Sequence, residues 1–573
     1  MIAKMNKTKT WSMPVLDESQ VRELATELNV SETIARVHLI RGLYSYASIS
    51  DFCNLNLTKI HDPYLLPDMK QAVDRLVRAV QKDELIMVVG DCDADGVSST
   101  ALALYALRAF GANVHYLIPT RYDGFGLSVN LVNMAIESEA AVLLTVDCGT
   151  EGFLAAEHAK LSGMDLVITD HHEPRNDGLI PECVACVNPK RRNSLYPFPH
   201  IAGVGVVFKL MLALCEKLDF DTEDAFNQLI EYVAIGTCAD VVSMTAENRV
   251  LVDYGCKKLS NTEKVGLRKL TKSAGVRRVD SESIGFFIAP MINAACRLEE
   301  PETAVKLLLE TDEIVAEELA DTLKQMNGER KALQEDLLNH IMNSVPEEAD
   351  VRNIHFYAGE EWHRGLIGLV AGNISSSSSK PSFVCSIESD GIAYGSCRST
   401  ATFHILDALH SCSDLLISYG GHSQAAGFKV EANNLQALDE RLNQCALEFF
   451  GEVVADEILE IDAELKFSEI SLDTLTALEH LAPWGQDNPQ PKFYTPGLVV
   501  VQSSAFCGGK HLKLMLAGAS DSNRISAVAW NMGDRAQDFP NGVVVDVVYS
   551  LELDAYKVKP CLGLRIVDIE CSR

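Results

Sequence analysis

At 573 residues the chain is several times the length of a common domain, so it must fold as more than one packed unit. Apolar residues make up 47% and charged residues 23%, which excludes a disordered or fibrous chain. The net charge of −30 argues against broad, sequence-blind adhesion to nucleic acid, because Lys and Arg drive such binding by displacing counterions.

The N-terminus, Met1 to Leu16, carries Lys4, Lys7 and Lys9 with no apolar block behind them and does not read as a secretory signal. The apolar stretch His200 to Cys215 is broken by Lys209 and falls short of the ~20 residues a membrane helix needs. No membrane association is therefore expected, and the cytoplasm is the expected location. Sixteen cysteines are scattered through apolar segments, as suits reduced thiols. Cys183 and Cys186 form an isolated C-x-x-C, and no second pair stands at the spacing a four-ligand zinc site requires.

Residues 1–80 show helical apolar periodicity at Val21 to Leu28 and Met69 to Val80. From Leu85 the pattern becomes short apolar runs ending in acidic residues, each followed by a helix-like stretch: Leu85 to Val89 before Asp91, Ala141 to Val146 before Asp147, Leu166 to Thr169 before Asp170. This alternation predicts an α/β fold with a parallel sheet whose carboxyl edge carries the chemistry. Lys257 to Arg278 collects eight cations against Glu263. That segment reads either as a local nucleic-acid channel or as a solvated helical face. Val315, Leu319, Leu323, Met326, Leu333, Leu337 and Ile341 mark one long amphipathic helix ending near Pro346. The serine run Ser375 to Ser379 reads as a loop. Beyond about residue 451, short strands separated by Gly, Asp, Ser and Asn turns fit a small β-barrel, of which the OB type is one option. The expected division is a helical segment over 1–80, a parallel-sheet domain over 81–309, a connecting helix over 310–348, a second α/β domain over 349–450 and a barrel over 451–573.

Asp91-Cys-Asp-Ala-Asp-Gly96 places Asp91, Asp93 and Asp95 at alternate positions after an apolar strand. Such carboxylates can converge on hard cations, and an added imidazole shifts preference from Mg²⁺ toward Mn²⁺. Taken alone, the motif also fits a calcium loop or a solvated acidic turn. Thr145-Val-Asp-Cys-Gly149, Thr169-Asp-His-His172 and Gly236-Thr-Cys-Ala-Asp240 each end an apolar run of their own. Asp170 is placed to orient a neighbouring ring, as carboxylates beside metal-binding histidines do.

These four motifs, in this order over roughly 150 residues, resemble the DHH phosphoesterase family. The resemblance implies two Mn²⁺ or Mg²⁺ ions: Asp93 on one, Asp95 on the other, Asp147 bridging, and His171 and Asp240 completing the second site. Asp91 and Asp170 would stand at or just outside the ligand shell, and His172 would contact the scissile phosphate. Gly395-Ser-Cys-Arg-Ser399 and Tyr419-Gly-Gly-His-Ser-Gln-Ala-Ala-Gly427 resemble the DHHA1 domain. By that resemblance Ser396, Arg398, Ser399, Gly420, Gly421 and His422 would bind a phosphate or a terminal nucleotide, through backbone N–H groups and the guanidinium fork.

Asn188-Pro-Lys190, Ala202-Gly-Val-Gly205, Asn293-Ala-Ala-Cys-Arg297, Trp362-His-Arg-Gly-Leu-Ile-Gly368 and Pro483-Trp-Gly-Gln-Asp-Asn-Pro489 extend the likeness to the RecJ family of single-strand-specific 5′→3′ DNA exonucleases. That likeness implies an OB barrel gripping single-stranded DNA, a strand threaded 5′ end first, and Arg297 on a phosphate near the metals. Nucleoside 5′-monophosphates would be released during DNA repair and recombination. Met291, Cys296 and Asn373 depart from the family pattern, and two of them replace a usual cation. Two rivals remain: a hydrolase of short oligonucleotides or cyclic dinucleotides, and a silent scaffold in a replication assembly. The first generally lacks the barrel; the second loses metal ligands that this chain keeps. The acidic balance also suggests recruitment through a single-strand-binding protein or a helicase.

Overall fold

The computed structural model describes residues 9–120, 126–175, 177–344, 352–399, 403–451, 458–519, 523–554 and 561–572. Within them, no helix is long and apolar enough to cross a membrane. The chain divides into two compact units, one formed by the described residues of 12–295, 300–324 and 460–573, the other by those of 325–459 with Cys296–Glu299 and residues 9–11.

The first unit is built on a parallel sheet. Its strands are β1 (Ile86–Gly90), β2 (Val114–Leu117), β3 (Val142–Val146), β4 (Asp165–Thr169) and β5 (Ala185–Val187), in the order β2-β1-β3-β4-β5. Every residue of β1 and β3 is buried, the mark of strands covered by helices on both faces. The order reverses between β1 and β3, and in open α/β sheets ligands bind in the crevice at such a reversal. Three helices matter to that crevice: α1 (Ala94–Ala109) after β1, then α2 (Gly203–Lys217) and α3 (Thr222–Ala239).

The same unit holds a closed barrel of β6 (Phe493–Phe506), β7 (His511–Ala517), β8 (Arg524–Ala529), β9 (Val544–Asp554) and β10 (Cys561–Cys571), ordered β6-β7-β8-β10-β9 with β9 pairing back to β6. Parallel pairing of β8 with β10 inside an otherwise antiparallel ring is the Greek-key closure of an OB barrel. Its interior joins the N-terminal helices: Val21, Leu24, Ile34 and Val37 share one core with Leu512, Leu514, Val547 and Ile569. The N-terminal helices that carry Val21 to Val37 are thus part of the barrel's hydrophobic support.

The long helix, Glu313–Ser344, contributes its first part to this unit and the remainder to the second. The second unit carries a mixed five-stranded sheet, including Ser382–Ile387, Ile392–Arg398, Leu416–Gly421 and Ala425–Glu431, and the helix Arg364–Ser378. That helix corrects the loop expected over the serine run, since Ser375 to Ser378 are helical and only Ser379 leaves, with φ +55°. Burial of Ile367, Val370, Ala371 and Ile374 outweighs the weak helix propensity of serine. Ser377 and Ser378 turn their hydroxyls back onto the Ile374 carbonyl.

Candidate metal centre

The acidic residues converge because each ends a strand or helix at the same edge. Asp93 caps α1, its Oδ1 accepting the N–H groups of Asp95 (2.9 Å) and Gly96 (3.1 Å) and leaving Oδ2 available. Asp95, buried in the first turn of α1, accepts from the first residues of α2: Gly203 N–H at 2.8 Å and Val204 N–H at 2.9 Å. Asp147 follows β3 with φ +61°, a left-handed conformation that a non-glycine residue adopts only when its surroundings impose it. Asp240 caps the end of α3.

Two glycines make room for these carboxylates. A Cβ on Gly203 would stand 2.5 Å from Asp147 Cγ, and one on Gly236 would stand 2.5 Å from Asp95 Oδ1. Gly203 and Gly236 thus leave the space these carboxylates occupy, although the sequence shows them only as parts of a matching string. Two asparagines add further support, which nothing in their local sequence marks. Ala94 N–H donates to Asn293 Oδ1 (2.9 Å), fixing the acidic loop, and Asn188 donates to Thr150 Oγ1 and the His172 carbonyl, both at 2.9 Å.

Among the described residues, three trios of ligand atoms lie each within 4.8 Å: Asp91, Asp93 and Asp147; Asp95, His171 and Asp240; and Asp147, His171 and His172. Asp147 and His171 each belong to two of them. His171 Nε2 lies 3.3 Å from Asp147 Oδ1 and 3.5 Å from Asp240 Oδ2. Nevertheless His171 Nε2 and Asp147 Oδ1 are buried without a hydrogen bond. Burial, then the charges of Asp240 and Asp93, pushes Asp95 well above the carboxylate range. Burial followed by Asp95 does the same to Asp147, and Asp240 is pushed up to about 7 by burial and Asp93. Burial holds the His171 imidazole down at about 3, so its nitrogens stay neutral and able to ligate. Crowded carboxylates, unsatisfied buried donor atoms and one neutral imidazole fit divalent cations of the Mg²⁺ or Mn²⁺ type.

Asp170 plays a different part. Its Oδ1 accepts from His171 N–H (2.7 Å), His172 N–H (3.1 Å) and lies 2.8 Å from His172 Nδ1; its Oδ2 accepts from Thr150 N–H (2.8 Å). Burial would raise its pKa, but these bonds and the two imidazoles hold it below the usual range. In turn Asp170 overrides the effect of burial on His172 and lifts it to about 9, leaving a cationic ring at neutral pH.

In the second unit the DHHA1-like residues gather at one end of the sheet. Arg398 pairs in register with Ala425, Ser396 with Gly427, and Gly427 with Gly420. Arg398 donates to the Cys397 carbonyl (2.8 Å) and Ser396 Oγ (3.3 Å), while Ser399 Oγ is buried without a hydrogen bond. Gly421, at φ +138°, forms the turn in which His422 N–H donates to the Ala425 carbonyl (2.8 Å). Gly368 lets the helix approach, its missing Cβ lying 2.8 Å from Ser396 Oγ. Arg297 donates to the Gly365 carbonyl (2.8 Å). Met291 and Cys296 are buried, and Asn373 is exposed. The basic segment is largely neutralised by acids, which counts against an open cationic channel. Lys264 pairs with Glu231, Arg268 and Lys269 with Glu313, Lys269 and Lys272 with Glu317, and Arg278 with Glu479.

Three family models match: the DHH family N-terminal domain over residues 85–237, the DHHA1 domain over 350–448 and the RecJ OB domain over 461–568. The single-stranded-DNA-specific exonuclease RecJ of Bacillus subtilis is 31% identical over 567 residues, covering 98% of this chain and 71% of that protein. The chain belongs to the RecJ family. The Haemophilus influenzae RecJ is likewise 31% identical, over 95% of this chain and 98% of its own length. Among solved structures, Thermus thermophilus RecJ in complex with Mn²⁺ superposes with a TM-score of 0.81 at 29% identity, covering 98% of this chain and 80% of that one. Its Mg²⁺ complex superposes with a TM-score of 0.74 at 28% identity.

Proposed function

We propose that this chain is a single-stranded-DNA-specific 5′→3′ exonuclease that hydrolyses phosphodiester bonds with two divalent cations and releases nucleoside 5′-monophosphates, in DNA repair and recombination. The observation that carries the reading is the pair of ligand groups meeting at Asp147 and His171, in a chain related over nearly its whole length to RecJ exonucleases. Asp91 and Asp93 would hold one Mn²⁺ or Mg²⁺ ion, Asp95, His171 and Asp240 the other, with Asp147 shared. Such a pair supplies Lewis acidity toward water and the phosphodiester oxygens when bound.

The chain's own groups do the rest. Asp170 fixes the His172 ring through Nδ1, so that Nε2 of a cationic imidazole is left to meet the scissile phosphate. Arg297 would hold a phosphate. The Arg398 fork, Ser396, the unsatisfied Ser399 hydroxyl and the turn of Gly420, Gly421 and His422 would receive the terminal 5′-phosphate. The OB barrel would grip the strand. A chain of charge −30 working on DNA in the cytoplasm would be helped there by a single-strand-binding protein or a helicase.

The test is digestion of 5′- or 3′-labelled single-stranded and duplex DNA with Mn²⁺. Mononucleotides should leave the 5′ end of single strands; release only from 3′ ends, or equal digestion of duplex, overturns the reading.

A further inference from the structure

Between Asp280 and Arg297 the chain makes a turn that the chemistry above does not use. Ser281 and Ser283 start a helix, capped by Asp280, which passes directly into a π-helical turn over Ile284–Ile288, where Ala289 N–H donates to the Ile284 carbonyl. A π turn holds one residue more than an α turn and is found disproportionately at functional sites. Its effect here is specific. Ile284 and Ile288 are fully buried and anchor the turn, while Phe286 and Phe287 between them are 70% and 45% exposed. In a regular helix the residue three after a buried Ile284 would swing back toward the packed face; the wider turn carries Phe287 outward beside Phe286.

This outward pair is tied to the metal centre on both sides. Gly285 packs against the end of α3, where a Cβ would come within 3.8 Å of the Cys238 carbonyl, two residues before Asp240. Six residues beyond Phe287, Asn293 accepts from Ala94 N–H at the start of α1, between Asp93 and Asp95. The turn is also held from behind, with Ser281 donating to the Trp484 carbonyl at 2.7 Å and Glu282 paired with Arg565. Two adjacent phenyl rings held out toward water by a rigid turn beside a phosphodiesterase centre are a surface waiting for an apolar flat partner.

We infer that Phe286 and Phe287 are a stacking platform for unpaired bases of the strand being digested, and that they contribute to the preference for single strands. The inference rests on the exonuclease reading above. A phenyl face accepts every base alike, as an enzyme that removes nucleotides regardless of sequence requires. In a duplex the base faces are already stacked on one another and paired, so the platform would reward only strands whose bases are free.

The experiment compares F286A, F286A/F287A and F286W/F287W with the parent chain, measuring kcat and KM in Mn²⁺ on a long single strand, a dinucleotide and a blunt duplex. The double alanine variant should raise KM for the long strand by about 5- to 100-fold, with kcat held within about twofold, a smaller effect on the dinucleotide, and a lowered single-strand to duplex preference. The tryptophan variant should restore KM. Single F286A, at the more exposed position, should show part of the effect without loss of thermal stability. An unchanged KM in the double alanine variant overturns the platform and leaves the rings to a protein partner. Equal loss on all three substrates, or no rescue by tryptophan, overturns it in favour of a structural role. A parent chain that digests no single strand defeats the exonuclease reading itself, which separates the two failures.

Discussion

Gly203→Ala is the sharpest test of how the carboxylates are held. The added Cβ would lie 2.5 Å from Asp147 Cγ and 2.7 Å from its Cβ, whereas ordinary contact begins at 3.4 Å, so the carboxylate carbon must retreat by 0.9 Å. Relaxation is hard to find. Asp147 is 2% exposed, its φ of +61° is already strained, and His171 stands 3.3 Å from its Oδ1. If α2 yields instead, its N–H bonds to Asp95 are lost. Overpacking of this kind costs about 1–3 kcal/mol of stability. A displacement near 1 Å at reacting groups costs about a hundredfold in rate. We expect kcat for Mn²⁺-dependent digestion of single strands to fall by about that factor, and calorimetric Mn²⁺ affinity to fall with it. Gly205→Ala is the control, because its Cβ would meet the apolar side chain of Ile201, with Cγ1 nearest and Cδ1 at 2.8 Å, and no carboxylate. That variant should melt earlier but bind Mn²⁺ as before. Parental kcat and Mn²⁺ affinity in Gly203→Ala would refute the argument.

Asp147→Asn should abolish digestion and Mn²⁺-induced stabilisation while leaving the metal-free Tm equal or higher, because it removes a buried carboxylate that its neighbours repel; a large drop in metal-free Tm would contradict this. Arg398→Ala should raise KM about 10- to 100-fold for 5′-phosphorylated strands and far less for 5′-hydroxyl strands, and equal loss on both would remove Arg398 from end recognition. His38 is held down at about 4 by burial and by Arg41, against 6.5 when free. The unfolded chain therefore takes up the proton first, and this residue should cost about 2 kcal/mol of stability as pH falls from 7 to 5, a sensitivity that His38→Gln should lack in denaturant titrations.

The acidic edge was legible because Asp91, Asp147 and Asp170 each follow an apolar strand and Asp240 ends an apolar helix, so local pattern and site coincide. What was not legible involves partners distant in the chain. Nothing near Lys269 announces Glu313 and Glu317, which neutralise it from the long helix, although the i, i+4 spacing of those two acids was a visible clue. The shared core of Val21 with Leu512 and Ile569 is equally non-local. The glycines were visible as letters, but their purpose exists only where α2 meets Asp147 at the end of β3 and α3 meets Asp95 in α1. Ser375 to Ser378 misled because composition reports propensity, while the burial of Val370 and Ile374 decides the helix.

Seen together, the supports of the centre act in one direction. Left-handed Asp147, the bare faces of Gly203 and Gly236, and the α2 N-terminus all force carboxylates closer than their charges favour. The cost is visible in Asp95, Asp147 and Asp240, whose ionised forms burial and mutual repulsion disfavour. Hydrogen bonds could have relieved that repulsion, as they do at Asp170, yet His171 Nε2 and Asp147 Oδ1 receive none. A crowded cluster with unsatisfied ligand atoms, next to an Asp170 held by hydrogen bonds, has the chemistry that a divalent-cation site requires. Metal binding and fold stability in this protein should therefore rise together.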